Sequence, residues 1–321
     1  ASPALVVLFS ILGNVAKDLS SKTIGQDKNG KDIFLKDVWP SNEEIEKVVK
    51  NFYLPELFLE KYSEVFMGGE LWDNLAIPTG ANYEWSEQST YFKKPPYLDN
   101  LSLNVEDQKN ITGARALVLL GDSITTDHIS PSSIITSGTP AADYLLSKGV
   151  LPEDFNTYTT RRGNHEVAMR ATFANLRLRN LMVPEKEGGY TKMYPEEKVT
   201  SIFDAAIHYQ NLKTPLLIFA GENYGCGSSR DTAAKGPAML GVRAVIAKSF
   251  ERIHRSNLIG MGILPLQFEQ GFGVSELGLL GSEVFDIAAL SQVSLKNNFI
   301  EMSIKKISGD ISKIKLRVRL D

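Results

Sequence analysis

The sequence predicts an α/β domain built on a mixed, largely parallel sheet, preceded by a helical segment and a long linker. Three observations lead there. From about residue 106, apolar runs of strand length alternate with helical stretches, the pattern of a parallel core. Residues 1 to 65 lack that alternation and read as helices, and residues 66 to 105 carry scattered aromatics and prolines with no period at all.

Taken in order, Ala1 to Gly13 is apolar but has no basic segment ahead of it. That favours an internal helix, with Ser2 as N-cap and Pro3 in the first turn, over a signal peptide. Asp32 to Val38 reads as a short strand. Ser41-Asn42-Glu43-Glu44 opens a helix through Ile45 to Phe52, and a second helix runs from Pro55 to Phe66. The connector holds Trp72, Tyr83, Trp85, Tyr91 and Tyr97. Its aromatics can lie on a neighbouring domain or stack on nucleobases. Ala114 to Leu120 is a strand, Pro140 to Ser147 a short helix, and Val167 to Arg177 a mixture of helix and turn. Helix Ser201 to Asn211, strand Leu216 to Ala220, helix Arg230 to Leu240, strand Ala244 to Ala247 and helix Glu251 to Gly260 follow. In the tail, Val293 to Lys296, Phe299 to Lys306 and Ile311 to Arg319 alternate like antiparallel strands.

With 43% hydrophobic content in 321 residues, the chain can bury a substantial core. Its net charge of -3 provides no global attraction to nucleic acid or anionic membrane. No apolar run approaches the ~20 residues needed to span a bilayer. The single cysteine, Cys226, excludes an internal disulfide framework, fits a reducing compartment, and cannot alone ligate an iron-sulfur cluster or structural zinc. No spacing of His, Asp and Glu resembles a mononuclear metal site. Neither a Gly-Lys-Ser/Thr loop nor a dinucleotide fingerprint is present, which demotes nucleotide-dependent classes.

The most informative segment is Gly221-Glu-Asn-Tyr-Gly-Cys-Gly-Ser-Ser-Arg-Asp231, following the apolar run Leu216 to Ala220. Gly225 and Gly227 let the backbone approach a ligand, Ser228 and Ser229 add hydroxyls, and Arg230 adds a fork suited to carboxylate or phosphate. A tight strand-to-helix turn capped by Ser229 is the plain alternative. A second constellation, Gly121 to Pro131, also follows a strand. Asp127 and His128 can form an acid/base pair or orient a group elsewhere; equally, they can belong to an Asx-turn network with His128 buried and structural. A third holds Arg161, Arg162, Arg170, Arg177 and Arg179, five arginines within nineteen residues. Such a set recognises polycarboxylates, phosphates or RNA backbone, or forms a solvated face. In the fourth, Ser249 to Asn257, His254 is read as a packing or capping residue on a helix.

Together these segments resemble the aconitase family, and within it the cytosolic-aconitase and iron-regulatory-protein branch. The motifs are Gly121 to Pro131 (GDSITTDHISP), Arg161 to Asn180 (RRGNHEVAMRATFANLRLRN), Gly221 to Pro237 (GENYGCGSSRDTAAKGP) and Lys248 to Pro265 (KSFERIHRSNLIGMGILP). In the amino-terminal zone, ASPALVV and KDVWPSNEEI look like the end of the family's third cluster-side domain.

The resemblance implies a carboxy-terminal swivelling β/β/α domain over residues 106–321, joined by the 66–105 linker to the end of a cluster-side domain at 1–65. It implies a 4Fe-4S cluster ligated by cysteines outside this chain, whose free iron acts as a Lewis acid while citrate and isocitrate interconvert through cis-aconitate. By the same resemblance Ser228 is the base, Asp127 supports catalysis, and Ser229 and Arg230 bind substrate carboxylate. A further family arginine falls at Lys148, which keeps the charge but loses the fork, so that Arg162 is a candidate helper. Cys226 departs toward the isopropylmalate isomerase and homoaconitase branches, which keeps another 2-hydroxy polycarboxylate open as substrate. A stand-alone isopropylmalate isomerase small subunit would need neither the helical preface nor the linker. In iron-regulatory relatives, positions matching Ser130, Arg162 and Asp231 contact an RNA hairpin, although Thr232 departs from the tryptophan expected beside them. The implied partners are thus a tricarboxylate, the amino-terminal cluster-binding domains and an iron-responsive RNA, with no membrane. The implied compartment is cytoplasmic, with mitochondrial as the alternative.

Overall fold

A computed structural model describes residues 2–77, 79–99, 102–104, 109–288 and 298–320. The chain divides into two compact units, residues 1–81 and 82–321.

The first unit contains α1 (Pro3–Leu12), a small antiparallel pair β1 (Gly25–Gln26) and β2 (Asp32–Ile33), then α2 (Leu35–Val38), α3 (Asn42–Phe52), α4 (Pro55–Ser63) and α5 (Glu70–Asp73). Ser2 and Pro3 open α1 as expected. At α3 the capping box closes reciprocally: Glu44 N–H donates to Ser41 Oγ at 3.2 Å, and Ser41 N–H donates to Glu44 Oε2 at 2.8 Å. The strand expected over Asp32 to Val38 stops at Ile33. Asp37 Oδ2 accepts the Phe34 N–H at 2.8 Å and turns the chain into α2. Among the described residues of this unit only Leu8 is buried, while Phe52, Leu59, Phe66 and Trp72 are exposed.

The second unit runs β3 (Ile111–Leu119), α6 (Thr126–Ile129), α7 (Pro140–Ser147), α8 (His165–Ala171), β4 (Tyr190–Met193), β5 (Lys198–Ser201), α9 (Ile202–Asn211) and β6 (Leu216–Ala220). It continues through α10 (Thr232–Met239), β7 (Val242–Ala247), α11 (Arg252–Gly260), β8 (Leu264–Phe268), β9 (Val284–Ile287), β10 (Phe299–Lys305) and β11 (Ile311–Val318). The predicted strand at Val293 to Lys296 lies outside the described residues.

Seven strands form one mixed sheet in the order β10-β11-β8-β7-β6-β3-β9, and β9 pairs with β10 to close it into a barrel. The α/β class and the mixed sheet agree with the sequence reading. The sheet is less parallel than expected, because only β3·β6, β6·β7 and β7·β8 run parallel and the other four pairings are antiparallel. The short β9 makes the closure, pairing Phe285 with Ala114 on one side and with Ile304 on the other.

The parallel strands are buried on both faces, as crossover helices require. Inward, Phe219, Phe268 and Phe285 cluster with Ile300, Met302 and Leu316, the Phe219 and Phe285 rings lying 4.8 Å apart. Outward, Leu117, Ile218 and Val245 pack with Ala205, Ala206 and Tyr209 of α9, Ala233 and Ala234 of α10, and Leu258 of α11. Each fully buried Leu, Ile or Phe contributes about 2 kcal/mol. The carboxyl ends of β3 and β6, side by side and parallel, are where the two glycine-containing motifs leave the sheet.

Candidate active site

The two motif loops are laced together by their backbones. Ser123 N–H donates to Glu222 O at 2.7 Å, Gly225 N–H to Ile124 O at 2.7 Å, and Thr126 N–H to Cys226 O at 2.9 Å. Asp122 Oδ1 adds a side-chain stitch from Glu222 N–H at 2.7 Å. Thr126, 2% exposed, donates its hydroxyl to the Ser228 carbonyl at 2.6 Å. Gly225 and Gly227 turn at φ +80° and +96°, the left-handed region that glycine enters without strain. Ser228 and Ser229 are exposed, and among the described residues neither hydroxyl has a hydrogen-bond partner.

His128 takes the structural role. Its Nδ1 accepts the Thr125 N–H at 3.0 Å while Thr125 Oγ1 accepts the His128 N–H at 3.2 Å, so it closes a capping box on the single-turn α6. Asp127, next to it, faces Arg230. Arg230 Nη1 donates to Asp127 Oδ1 and to the Ser130 carbonyl, both at 2.7 Å. Ser132 Oγ adds a bond to Asp127 Oδ1 at 3.1 Å, and Asn175 Nδ2 one to Oδ2 at 3.1 Å. Partial burial pushes the Asp127 carboxyl up, but the bonds from Arg230 and Ser132 and the guanidinium charge outweigh it and hold the acid below its ordinary value. It is therefore a carboxylate that orients Arg230. The sequence reading overlooked Ser132 and Asn175, which no local pattern distinguishes from ordinary loop polars.

A cavity of about 250 Å³ opens beside this pair, lined by Ser130, Tyr158, Arg162, Ser229, Arg230 and Asp231 among others. Five residues singled out from sequence thus meet at one place. Arg162 comes from the turn after Tyr158; it is exposed and donates to the Thr159 carbonyl at 2.9 Å. Asp231 is paired with Lys235 at 2.5 Å, and Ser130 Oγ donates to Thr232 Oγ1 at 3.0 Å. The N-terminal end of α10 begins at this wall, where its dipole favours an anion. Expected to start at Arg230, α10 starts at Thr232, and its N-cap is Asp231 rather than Ser229. Two guanidiniums, several hydroxyls and a helix start suit a small polycarboxylate.

Beneath the glycine turn lies α11. A Cβ on Gly225 would sit 2.1 Å from His254 Cδ2, so the ring is the floor of the turn. Burial holds His254 down at about 4, and burial likewise raises Tyr224, whose ring centroid is 5.2 Å away. His254 thus packs, as its helical position suggested.

The remaining predicted residues lie elsewhere. Lys148 is the C-cap residue of α7, 5.9 Å from the Tyr144 ring centroid, and does not line the cavity. The five-arginine set is dispersed. Arg161 is buried, Arg170 pairs with Glu166 at 2.6 Å, and Arg179 pairs with Glu187 at 2.5 Å, leaving Arg162 as the member at the cavity. Cys226 is half-buried on the turn, and among the described residues no three His, Cys, Asp or Glu side chains are grouped for a metal. One thiol does not fit an iron-sulfur cluster, so no step is assigned to a cluster held by this chain.

Residues 141–271 match the family model of the aconitase C-terminal domain. The aconitate hydratases A of Legionella pneumophila, Thermus thermophilus and Escherichia coli are 51%, 50% and 48% identical to the chain over its whole length. The chain covers 36%, 35% and 36% of those proteins, about a third of these curated relatives. A solved 3-isopropylmalate dehydratase from Methanocaldococcus jannaschii is similar at 21% identity and a TM-score of 0.33, over 66% of this chain and 84% of that one. No described helix is long and apolar enough to cross a membrane. Residues 141–271 are thus similar to the aconitase C-terminal domain, and all 321 residues are similar to about a third of the length of bacterial aconitate hydratases A.

Proposed function

We propose that this chain is the carboxy-terminal part of an aconitate hydratase acting on citrate and isocitrate through cis-aconitate, in the cytoplasm. Residues 1–65 then close a preceding domain, 66–105 link, and 106–321 form the swivelling domain. The observation that carries the reading is the cavity where Ser229, Arg230 and Arg162 meet; Ser228, which precedes Ser229 in the chain, is exposed and is not one of the lining residues. In this reading Arg230 and Arg162 hold carboxylates, Ser229 donates to one of them, and Asp127 keeps Arg230 aimed. Lys148 adds charge from a distance. Ser228, as its alkoxide, would take the proton from the carbon next to a substrate carboxylate and return it in hydration, while the departing hydroxide would be taken up by the Lewis-acidic iron that the amino-terminal domains would supply. A free serine is far too weak a base for this, so its alkoxide must be stabilised by nearby N–H donors and the Arg230 charge. The cluster implied by the family belongs to the amino-terminal domains, which are partners of this one.

Replacing Ser228 with Ala in the full-length protein is expected to lower turnover by about 10³-fold while substrate binding and the cluster spectrum persist. Unchanged turnover refutes the base assignment. Citrate, homocitrate and isopropylmalate assayed side by side decide the substrate class that Cys226 leaves open. RNA binding is the second reading, supported by Ser130, Arg162 and Asp231 lining one wall. Its test is salt-sensitive binding of an iron-responsive hairpin by cluster-free protein, and no binding at moderate salt rejects it.

A further inference from the structure

Arg161 and Arg162 are neighbours in sequence with opposite surroundings. Arg161 is 1% exposed and Asn164 fully buried. The Arg161 guanidinium donates to Phe155 O and Asp154 O at 2.7 Å each, and to Thr90 O and Thr90 Oγ1 at 3.0 Å each. All of these oxygens are neutral, and the Tyr91 ring lies 4.1 Å from the guanidinium carbon. A buried cation without a carboxylate is costly, and removing it would orphan several carbonyls. Asn164 Nδ2 also donates to Thr90 O at 2.9 Å, Lys93 N–H donates to Gly163 O at 3.1 Å, and Phe92 covers Gly163 so closely that a Cβ would lie 2.7 Å from its ring. Four consecutive connector residues are therefore fastened to the one turn that carries Arg162 to the cavity.

We propose that Thr90–Lys93 is a strap that positions Arg162, with Arg161 as the positioning residue through which the strap acts. None of Thr90–Lys93 is a lining residue of the cavity. When Thr90 and Tyr91 hold Arg161, the Thr157–Asn164 turn is rigid and Arg162 is presented to ligand; when they leave, the turn loosens. Ligand affinity and strap attachment are then linked, each strengthening the other. The ligand half of this proposal rests on the polycarboxylate reading of the cavity.

Amide hydrogen exchange on the full chain tests the strap without ligand. Tyr91→Leu and Arg161→Lys should speed exchange about tenfold at Arg162 and Asn164, leaving Leu216–Ala220 unchanged, while Tyr91→Phe behaves as wild type. Calorimetry with citrate should show about five- to tenfold weaker binding for Tyr91→Leu, restored in Tyr91→Phe, at a nearly unchanged melting temperature. A part that merely holds the fold would lower the melting temperature and leave the dissociation constant alone. Unchanged exchange at Arg162 and Asn164, or unchanged citrate affinity in Tyr91→Leu, overturns the proposal. If citrate fails to bind the wild type, the polycarboxylate reading falls, and the exchange result alone decides the strap.

Discussion

Two turns deliver an arginine to the same cavity, and they are held in different ways. The Gly221–Asp231 loop is placed by backbone: its amides and carbonyls pair with those of the Gly121–Ser130 loop, as if the parallel strands continued past the sheet. The Thr157–Asn164 turn has backbone bonds near its ends, Tyr158 N–H to Ser133 O at 3.0 Å and Lys93 N–H to Gly163 O at 3.1 Å, and between them is placed by side chains, chiefly the buried guanidinium of Arg161 and the amide of Asn164. Backbone lacing depends on glycine and tolerates changes in side chains that point outward. A side-chain scaffold depends on a few exact residue types, and its geometry can change when a distant segment moves. The loop proposed to carry the base is thus the fixed half of the site, and the Arg162 turn is the adjustable half.

The largest expected effect comes from striking the fixed half at its floor. Gly225→Ala combines left-handed strain with collision against His254, and should cost about 3 kcal/mol or more in denaturant unfolding. Gly227→Ala, whose nearest neighbour would be 3.7 Å away, has the strain without the collision and should cost about 1–2 kcal/mol. Equal losses would mean that the floor does not matter.

Acid provides a second probe of the floor. His254 falls from 6.5 to about 4 in the folded protein, so between those values the unfolded chain binds the proton and the folded one does not. Its contribution is fully present above pH ~6.5 and is lost as pH falls toward ~4, by at most about 3 kcal/mol. His254→Phe should flatten that part of the stability curve, and an unchanged acid slope would place the titrating group elsewhere.

Thr126→Val deletes the bond to the Ser228 carbonyl and should cost about 1 kcal/mol of stability, read by denaturant midpoint at constant slope. Smallest of all should be Lys148→Met, with citrate affinity within about twofold of wild type, against about tenfold loss for Arg162→Met. A larger effect at Lys148 would return it to the site.

How much of this was legible depends on the range of the interaction that decides it. Strand Leu216–Ala220 and helix Pro140–Ser147 match their predicted limits, and the Ser41 capping box is local. The glycine turn is legible as a turn because Gly225 and Gly227 take the left-handed conformations that glycine enters without strain. β8 escapes notice because Pro265 sits in its ladder, opposite Val245, where proline normally demotes a strand. β9 is four residues long and finds β3 some 170 positions earlier, a pairing that no local window contains. Arg161 and Arg162 could not be separated from sequence, since adjacent residues on a turn point opposite ways and only the fold says which way is inward.

The closed barrel has a consequence for how this site fails. Both laced loops spring from neighbouring staves of a ring with no free edge, and the ring holds only if β9 bridges β3 and β10. A ring of pairings resists opening at one seam, because parting any two strands strains the rest. The spacing between the two loops therefore does not drift with temperature or with mild mutation: it is kept until the ring gives way, and then it is lost together with the fold.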